Sequence, residues 1–337
     1  MRTVKSEEKM NYSEINSCIV CGGEKFEPIF CVNDICLTGV FPKADQVDPI
    51  KTPITVQKCV HCNNVQMREK VNPELMFRDY WYRSSTTKSM VAHLRATLSR
   101  VAKDGGLLLD IGCNDGTLME LAAENGMDVY GVDPSEAANE AKKKFNDRVF
   151  TDFFTKDLVL SSLSDKHDSF SLVTAISMFY DVPDPVEFLS GIELLLREDG
   201  VALIEVNYAK SFFERSNVDM LGQEHLIYYF ISTFQKVLDK TNLNLYDAYL
   251  TDMNGGNIAF LISKKELPRS LRLIELMEEE EKWISTFNFK KFESDVMKSF
   301  STFKLWLLKT SKNKSIKILG ASKPSAAYRC ASSNQAW

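Results

Sequence analysis

The chain has 337 residues, 44% of them hydrophobic and 26% charged, and its 41 basic and 46 acidic side chains leave a net charge of −5. That length suits roughly two domains with a sizeable core, and the composition excludes a disordered or collagenous chain. No apolar run approaches the ~20 residues of a membrane-spanning helix, the first seventeen residues hold no apolar signal core, and the acidic balance counts against obligate nucleic-acid binding. A cytoplasmic protein without membrane contact is expected.

Eight cysteines in such a chain point away from disulfides, because cytosolic thiols are kept reduced. Four of them form two pairs, Cys18-Ile-Val-Cys21 and Cys59-Val-His-Cys62. A two-residue gap lets both sulfurs of a tight turn face one metal ion, and two such knuckles complete a tetrahedral Zn²⁺ site. Four thiolates leave no open position, so the zinc is expected to be structural. The competing readings are a merely buried pair, or replacement of one ligand by Cys31, Cys36 or His61. Between the knuckles, Gly, Pro and β-branched residues predict a small strand-rich lobe. Cys113 and Cys330 stand alone and read as small buried residues.

Apolar residues at helical spacing from Ser89 to Lys103 predict an amphipathic helix. An apolar strand then runs into Asp110-Ile111-Gly112-Cys113-Asn114-Asp115-Gly116-Thr117-Leu118, where glycines let backbone amides approach a ligand closely. A second strand, 127–132, ends in Asp133, 23 residues after Asp110 and about where a ribose-binding acid belongs. A dinucleotide site remains open on this pattern alone. Further strands at 170–176 and 201–206 flank a helix from Pro185 to Leu196, and the alternation predicts a doubly wound parallel sheet. Ser232 and Gln235 form a capping-box signature for a helix through Lys240. A helical stretch follows from Leu267 to Lys309, with Glu278–Glu281 read as its solvated face. His93 and His167 have no partner motif and read as surface or helix-face residues.

The string DIGCNDG resembles the first motif of class I S-adenosylmethionine (SAM)-dependent methyltransferases. Several stretches together resemble one family, the zinc-knuckle C-methyltransferases acting on nucleotide-linked 4-keto-6-deoxyhexoses. They are both cysteine pairs, Leu37-Thr38-Gly39-Val40-Phe41-Pro42, Asp79-Tyr80-Trp81-Tyr82-Arg83-Ser84-Ser85, DIGCNDGTL, Asp133-Pro134, Asp152-Phe153-Phe154, Ala175-Ile176-Ser177-Met178-Phe179-Tyr180-Asp181, Glu224-His225-Leu226 and Asn254-Gly255-Gly256-Asn257. Coverage runs from about residue 17 to about 265.

The resemblance implies SAM as cofactor, held by Asp110, Gly112, Asn114, Gly116, Asp133, Asp152, Phe153 and Ser177, with Asp133 on the ribose hydroxyls and Asp152 and Phe153 flanking the adenine. It implies a nucleotide-linked sugar as partner, met by Tyr80, Asn254, Gly255 and Gly256. Forming a carbon–carbon bond requires removing a proton beside a ketone, for which His225 is a suitable general base. Glu224 would orient it, and the Tyr82 hydroxyl would stabilise the enolate. On the residues alone, Glu224-His225 also reads as a helix-start pair, Tyr80 and Tyr82 as packing against the zinc lobe, and Asn254–Asn257 as a hairpin turn.

The expected fold is α/β: a class I Rossmann-like SAM methyltransferase sheet, an N-terminal zinc-binding lobe and an incomplete C-terminal Rossmann-like domain. The divisions are 1–75 for the lobe, 76–265 for the methyltransferase domain, and 266–337 for a helix and a truncated C-terminal start. The last resemblance rests on Ile316-Lys317-Ile318-Leu319-Gly320-Ala321-Ser322-Lys323. A second departure is Gly222-Gln223, where the family carries Tyr or Cys and then His. A monomer is expected. Competing functions are a zinc-containing RNA methyltransferase, disfavoured by the net charge, a SAM-binding remnant or scaffold, and O-methylation of a sugar hydroxyl.

Overall fold

The residues between the two cysteine pairs alternate in and out of a small core, and they form strands accordingly. The computed structural model describes residues 12–40, 49–102, 105–312 and 314–315. It begins with β1 (Tyr12–Glu14), β2 (Phe26–Cys36), β3 (Lys51–Cys59), β4 (Val65–Met67) and β5 (Glu69–Val71). β2, β3 and β4 are antiparallel neighbours, and β1 pairs with β5 apart from them.

α1 (Pro73–Phe77) and α2 (Lys88–Val101) lead into the second sheet. There follow β6 (Leu107–Ile111), α3 (Thr117–Glu124), β7 (Asp128–Val132), α4 (Ala138–Phe145), β8 (Val149–Phe150), α5 (Lys156–Ser162), β9 (Phe170–Ile176), α6 (Pro185–Leu195) and β10 (Leu196–Asn207). After α7 (Ala209–Glu214) come β11 (Ile227–Tyr228), α8 (Ile231–Leu238), β12 (Asn244–Thr251), β13 (Asn257–Ser263), α9 (Leu271–Thr286) and α10 (Phe289–Ser311). The sheet order is β12-β13-β10-β9-β6-β7-β8, parallel from β10 to β8, with β13 antiparallel to both its neighbours.

Strands covered on both faces read as continuous apolar runs. Leu108, Val129 and Leu172 pack against α2, α3 and α4 through Leu94, Leu98, Met119 and Ala141. Leu109, Val173 and Ile204 face the other way, against Val159, Leu189, Ile192 and Phe234 of α5, α6 and α8. The doubly wound α/β sheet expected from the sequence is therefore observed. β11, however, joins β4, pairing Ile227 with Gln66 and Tyr228 with Val65. The lobe's sheet thus takes its fourth strand from a distant part of the chain.

Three local expectations change. α8 begins at Ile231, so Ser232 is not its cap: Thr233 Oγ1 accepts from Phe230 N (3.0 Å), and Glu280 of α9 accepts from Ile231 N (2.6 Å) and Ser232 N (2.9 Å). Glu280 is consequently buried and also accepts from the Tyr208 hydroxyl, so Glu278–Glu281 is not uniformly a solvated face. A carboxylate on the unpaired amides of a helix start is favourable. The helical stretch from Leu267 to Lys309 is two helices, separated at Phe287 and Asn288, where the aromatic rings of Trp283, Phe287 and Phe289 gather on Phe213. Among the described residues no helix is long and apolar enough to cross a membrane. Phe41, Pro42, Cys330 and the stretch 316–323 lie outside the described residues.

Candidate active site

The chain leaves β6 towards β7 and β8, then crosses back to β9, which lies on the other side of β6. Loops from the C-terminal ends of β6 and β9 therefore diverge and leave a crevice. A cavity of about 720 Å³ occupies it, lined by residues 110–114, 132–135, 153–155, 176–178 and 180–184, with Tyr80, Trp81, Tyr82, Glu224, His225 and Asn254.

Gly112 (φ 78°), Asn114 (φ 50°) and Gly116 (φ 82°) adopt left-handed backbone conformations. A Cβ on Gly112 would lie 2.9 Å from Met178 Cγ, and one on Gly116 would lie 2.8 Å from the Ala141 Cβ. Glycine is needed at both positions for conformation and for close packing. Under the turn, the buried Asp110 carboxylate accepts from Thr174 Oγ1 at 2.8 Å, and burial pushes its pKa up to about 7. Asp133 Oδ2 accepts from Asn114 N (2.9 Å), and its Oδ1 accepts from Ser135 N (2.8 Å) and the Ser135 hydroxyl. Burial raises the Asp133 carboxyl as well, against these donors.

The Asn114 side chain is spent on the preceding segment: Oδ1 accepts from Ser84 N (3.0 Å) and Nδ2 donates to the Tyr82 carbonyl (3.1 Å). Asp115 Oδ2 accepts from Ser85 N at 3.0 Å. These bonds fasten Tyr80 and Tyr82 over the turn, and burial raises both phenols, keeping them protonated donors. Phe153 lines the cavity beneath the Arg78 guanidinium, 5.1 Å from its ring centre. Asp152 accepts from Phe153 N (2.8 Å), with its side chain exposed and outside the cavity lining. Ser177 (φ 57°) and Asn254 (φ 49°) meet at the opposite wall, where Asn254 Nδ2 reaches Ser177 Oγ at 3.4 Å. Gly255 and Gly256 sit behind them, against Asn217 and Ser211.

His225 is buried in the cavity wall, with its ring 4.4 Å from that of Tyr180. Nδ1 lies 2.7 Å from the Met220 carbonyl, which can only accept. The proton is therefore assigned to Nδ1, and Nε2 carries the lone pair. Burial lowers the His225 pKa to about 4, so the ring is neutral at pH 7. Nε2 lies 3.8 Å from Glu224 Oε1, and Glu224 Oε2 accepts from Thr38 Oγ1 at 2.7 Å. The geometry supports removal of a proton by Nε2, with a carboxylate beside the charge that forms.

Away from the cavity, the Sγ atoms of Cys18, Cys21, Cys59 and Cys62 all lie within 4.8 Å of one another. Cys18–Cys62 and Cys21–Cys59 are each 3.6 Å apart, and tetrahedral zinc with ~2.3 Å bonds sets a sulfur–sulfur edge of about 3.8 Å. The four sulfurs therefore fit a zinc ion. Cys31 Sγ instead contacts Asn33 and Thr55, and the His61 ring packs by Gly23.

Some contributors escaped the sequence reading. His93 lies on a face of α2, one of the two places expected for it, but it has a partner: its Nε2 lies 2.8 Å from the fully buried Glu205, which also accepts from Thr251 Oγ1 (3.1 Å) and Asn257 Nδ2 (2.9 Å). This cluster anchors α2 and the 253–257 turn behind the cavity. Thr38, buried in the lobe, had only its place in the LTGVFP string as a signal.

Residues 82–248 match the sequence profile of a family described as "Methyltransferase domain". Those residues span β6 to β10 and the glycine turn, and they are similar to a methyltransferase domain. The match supports the expected SAM-dependent methyltransferase and favours it over the dinucleotide reading of the glycine turn. The C-methyltransferase NovU of Streptomyces niveus is 25% identical over 275 residues, which are 79% of this chain and 65% of NovU. The ubiquinone biosynthesis O-methyltransferase of Haemophilus ducreyi is 28% identical over 152 residues, 42% of this chain. The chain thus spans 65% and 64% of the lengths of these two relatives. The PH0226 protein from Pyrococcus horikoshii OT3 aligns in structure with a TM-score of 0.45 and 15% identity, over 55% of this chain and 95% of that one. The site of the methyltransferase domain fits SAM, a cationic ligand, through its volume and its two buried carboxylates, Asp110 and Asp133.

Proposed function

We propose that the chain is a SAM-dependent C-methyltransferase that methylates the carbon beside the keto group of a nucleotide-linked 4-keto-6-deoxy sugar. The observation that carries this reading is His225: neutral, buried in the cavity wall, and fixed by Met220 so that Nε2 is its basic nitrogen. The 25% identity to a C-methyltransferase supports the reaction class.

SAM, when bound, supplies the electrophilic methyl group. Asp110, Gly112, Asn114, Asp133, Phe153 and Ser177 would hold it, with Gly116 shaping the turn and Asp152 outside the lining. His225 Nε2 takes the proton from the carbon next to the ketone, and the electron pair left behind delocalises onto the keto oxygen. The Tyr82 hydroxyl donates to that oxygen. Glu224 stabilises the imidazolium as it forms, while Tyr80 and Asn254, the latter set by the Gly255-Gly256 turn behind it, enclose the sugar. Cys18, Cys21, Cys59 and Cys62 hold a structural zinc that closes the lobe.

Mass spectrometry and NMR of nucleotide-linked 4-keto-6-deoxyhexoses, incubated with the protein and SAM, test the reading. The expected product carries a new methyl on the carbon beside the ketone, absent with His225→Asn. A second reading, O-methylation, draws on the O-methyltransferase relatives, and a methyl resonance on oxygen would establish it instead.

A further inference from the structure

We propose that Thr38, in the N-terminal lobe, is a positioning residue for the Glu224–His225 pair; the inference rests on the proton-abstraction reading of that pair. Thr38 is buried, 1% exposed, and its hydroxyl lies 2.7 Å from both Gln223 Oε1 and Glu224 Oε2. A hydroxyl has one proton to give. Gln223 Oε1 already accepts from the Thr38 backbone N at 3.0 Å, and an ionised carboxylate is the stronger acceptor. The hydroxyl proton therefore goes to Glu224 Oε2, and Oε1 stays on the His225 side, 3.8 Å from Nε2.

The neighbouring residues make this division of labour possible. Gln223 donates its backbone N to the Thr38 hydroxyl (3.3 Å) and has further ties to the lobe besides it, since its Nε2 donates to the Ile35 (3.3 Å) and Cys36 (3.4 Å) carbonyls. Gly222 leaves room for the carboxylate: a Cβ there would lie 2.5 Å from Glu224 Oε2. The Gly222-Gln223 departure is thus accounted for, Gln223 as a tie and Gly222 as space.

Thr38→Val removes the hydroxyl at nearly constant volume, and Thr38→Ser keeps it. In the zinc-loaded full chain, Thr38→Val is expected to lower kcat about 10- to 100-fold while KM for SAM and for the keto sugar stays within about twofold. Zinc content and unfolding midpoint should hold, and Thr38→Ser should restore the rate. Nitrogen-15 NMR of the His225 ring reads the same contact without substrate. The wild type should show a protonated Nδ1 and a bare Nε2, with the Nε2 resonance displaced in Thr38→Val. A wild-type kcat in Thr38→Val, an unchanged His225 spectrum, or a rate loss that follows lost zinc or lost folding in both variants overturns the proposal. Should the wild-type chain methylate no keto sugar, the proton-abstraction reading falls, and the nitrogen spectrum alone still decides the role of Thr38.

Discussion

The seven-stranded sheet and the four-stranded sheet of the N-terminal lobe bury similar side chains but are completed by different means. In the larger sheet, helices drawn from the same stretch of chain cover both faces, and β6 to β7, β7 to β8 and β9 to β10 are each joined through a local helix to the strand beside them. The lobe is finished by parts from far away. β11 supplies its edge strand, Phe292 of α10 meets Phe30, Lys240 donates to the Val20 carbonyl, and four cysteines converge beside β3. The larger sheet has helices on both faces and shares one core with the lobe, while the lobe's sheet is edged by a distant strand and carries a cysteine cluster that fits a metal. His225 sits at the seam, two residues before β11.

The largest effect that would sharpen this contrast is loss of zinc. Chelation, or Cys59→Ser, is expected to strip hydrogen-exchange protection from residues 18–22 and 59–67 while Leu108, Val173 and Leu203 keep theirs, because binding of a structural zinc contributes on the order of 10 kcal/mol or more to folding. Simultaneous melting of both sheets would break the comparison. Next comes His225→Asn, which should lower methyl transfer about 10²- to 10⁴-fold with SAM affinity retained, as measured by calorimetry.

A third effect belongs to the larger sheet. The folded Asp110 has a pKa of about 7, above its unfolded value of 3.8, so the folded chain holds this proton more tightly. The stability it contributes is complete below the unfolded value and is lost as pH rises through about 7, on the order of 4 kcal/mol in all. Denaturation of the ligand-free protein should show this decline between about pH 4 and 7, and Asp110→Asn should flatten it while weakening SAM binding. The smallest effect is expected of Lys240→Met, which removes the 2.6 Å bond to the Val20 carbonyl. It should cost about 1 kcal/mol and lower the unfolding midpoint of the lobe, with kcat unchanged.

The sequence makes the larger sheet readable. The 170–176 strand, the Pro185 helix start and the glycine turn are each set by neighbours in the chain, so periodicity and turn chemistry locate them. Contacts between distant residues leave no such trace. Glu280 caps a helix 49 residues away, and Thr38 meets Gln223 across 185 residues. His93 finds Glu205 only once α2 is laid over the strand ends. Of the residues singled out in the sequence, Asp110, Gly112, Asp133, Phe153, Ser177, Glu224 and His225 line the cavity, whereas Asn114 spends its side chain on residues 82 and 84, and Gly255 and Gly256 shape the turn behind the wall.

The central claim is that His225 takes a proton from the carbon beside a ketone. Its most direct test is solvent deuterium exchange at that carbon, followed by NMR with a nucleotide-linked 4-keto-6-deoxyhexose in heavy water, in wild-type protein and His225→Asn with S-adenosylhomocysteine present. The account predicts enzyme-dependent exchange in the wild type and background exchange in the variant. Equal exchange in both, or none above background in a wild type that still transfers methyl groups to that carbon, would contradict it.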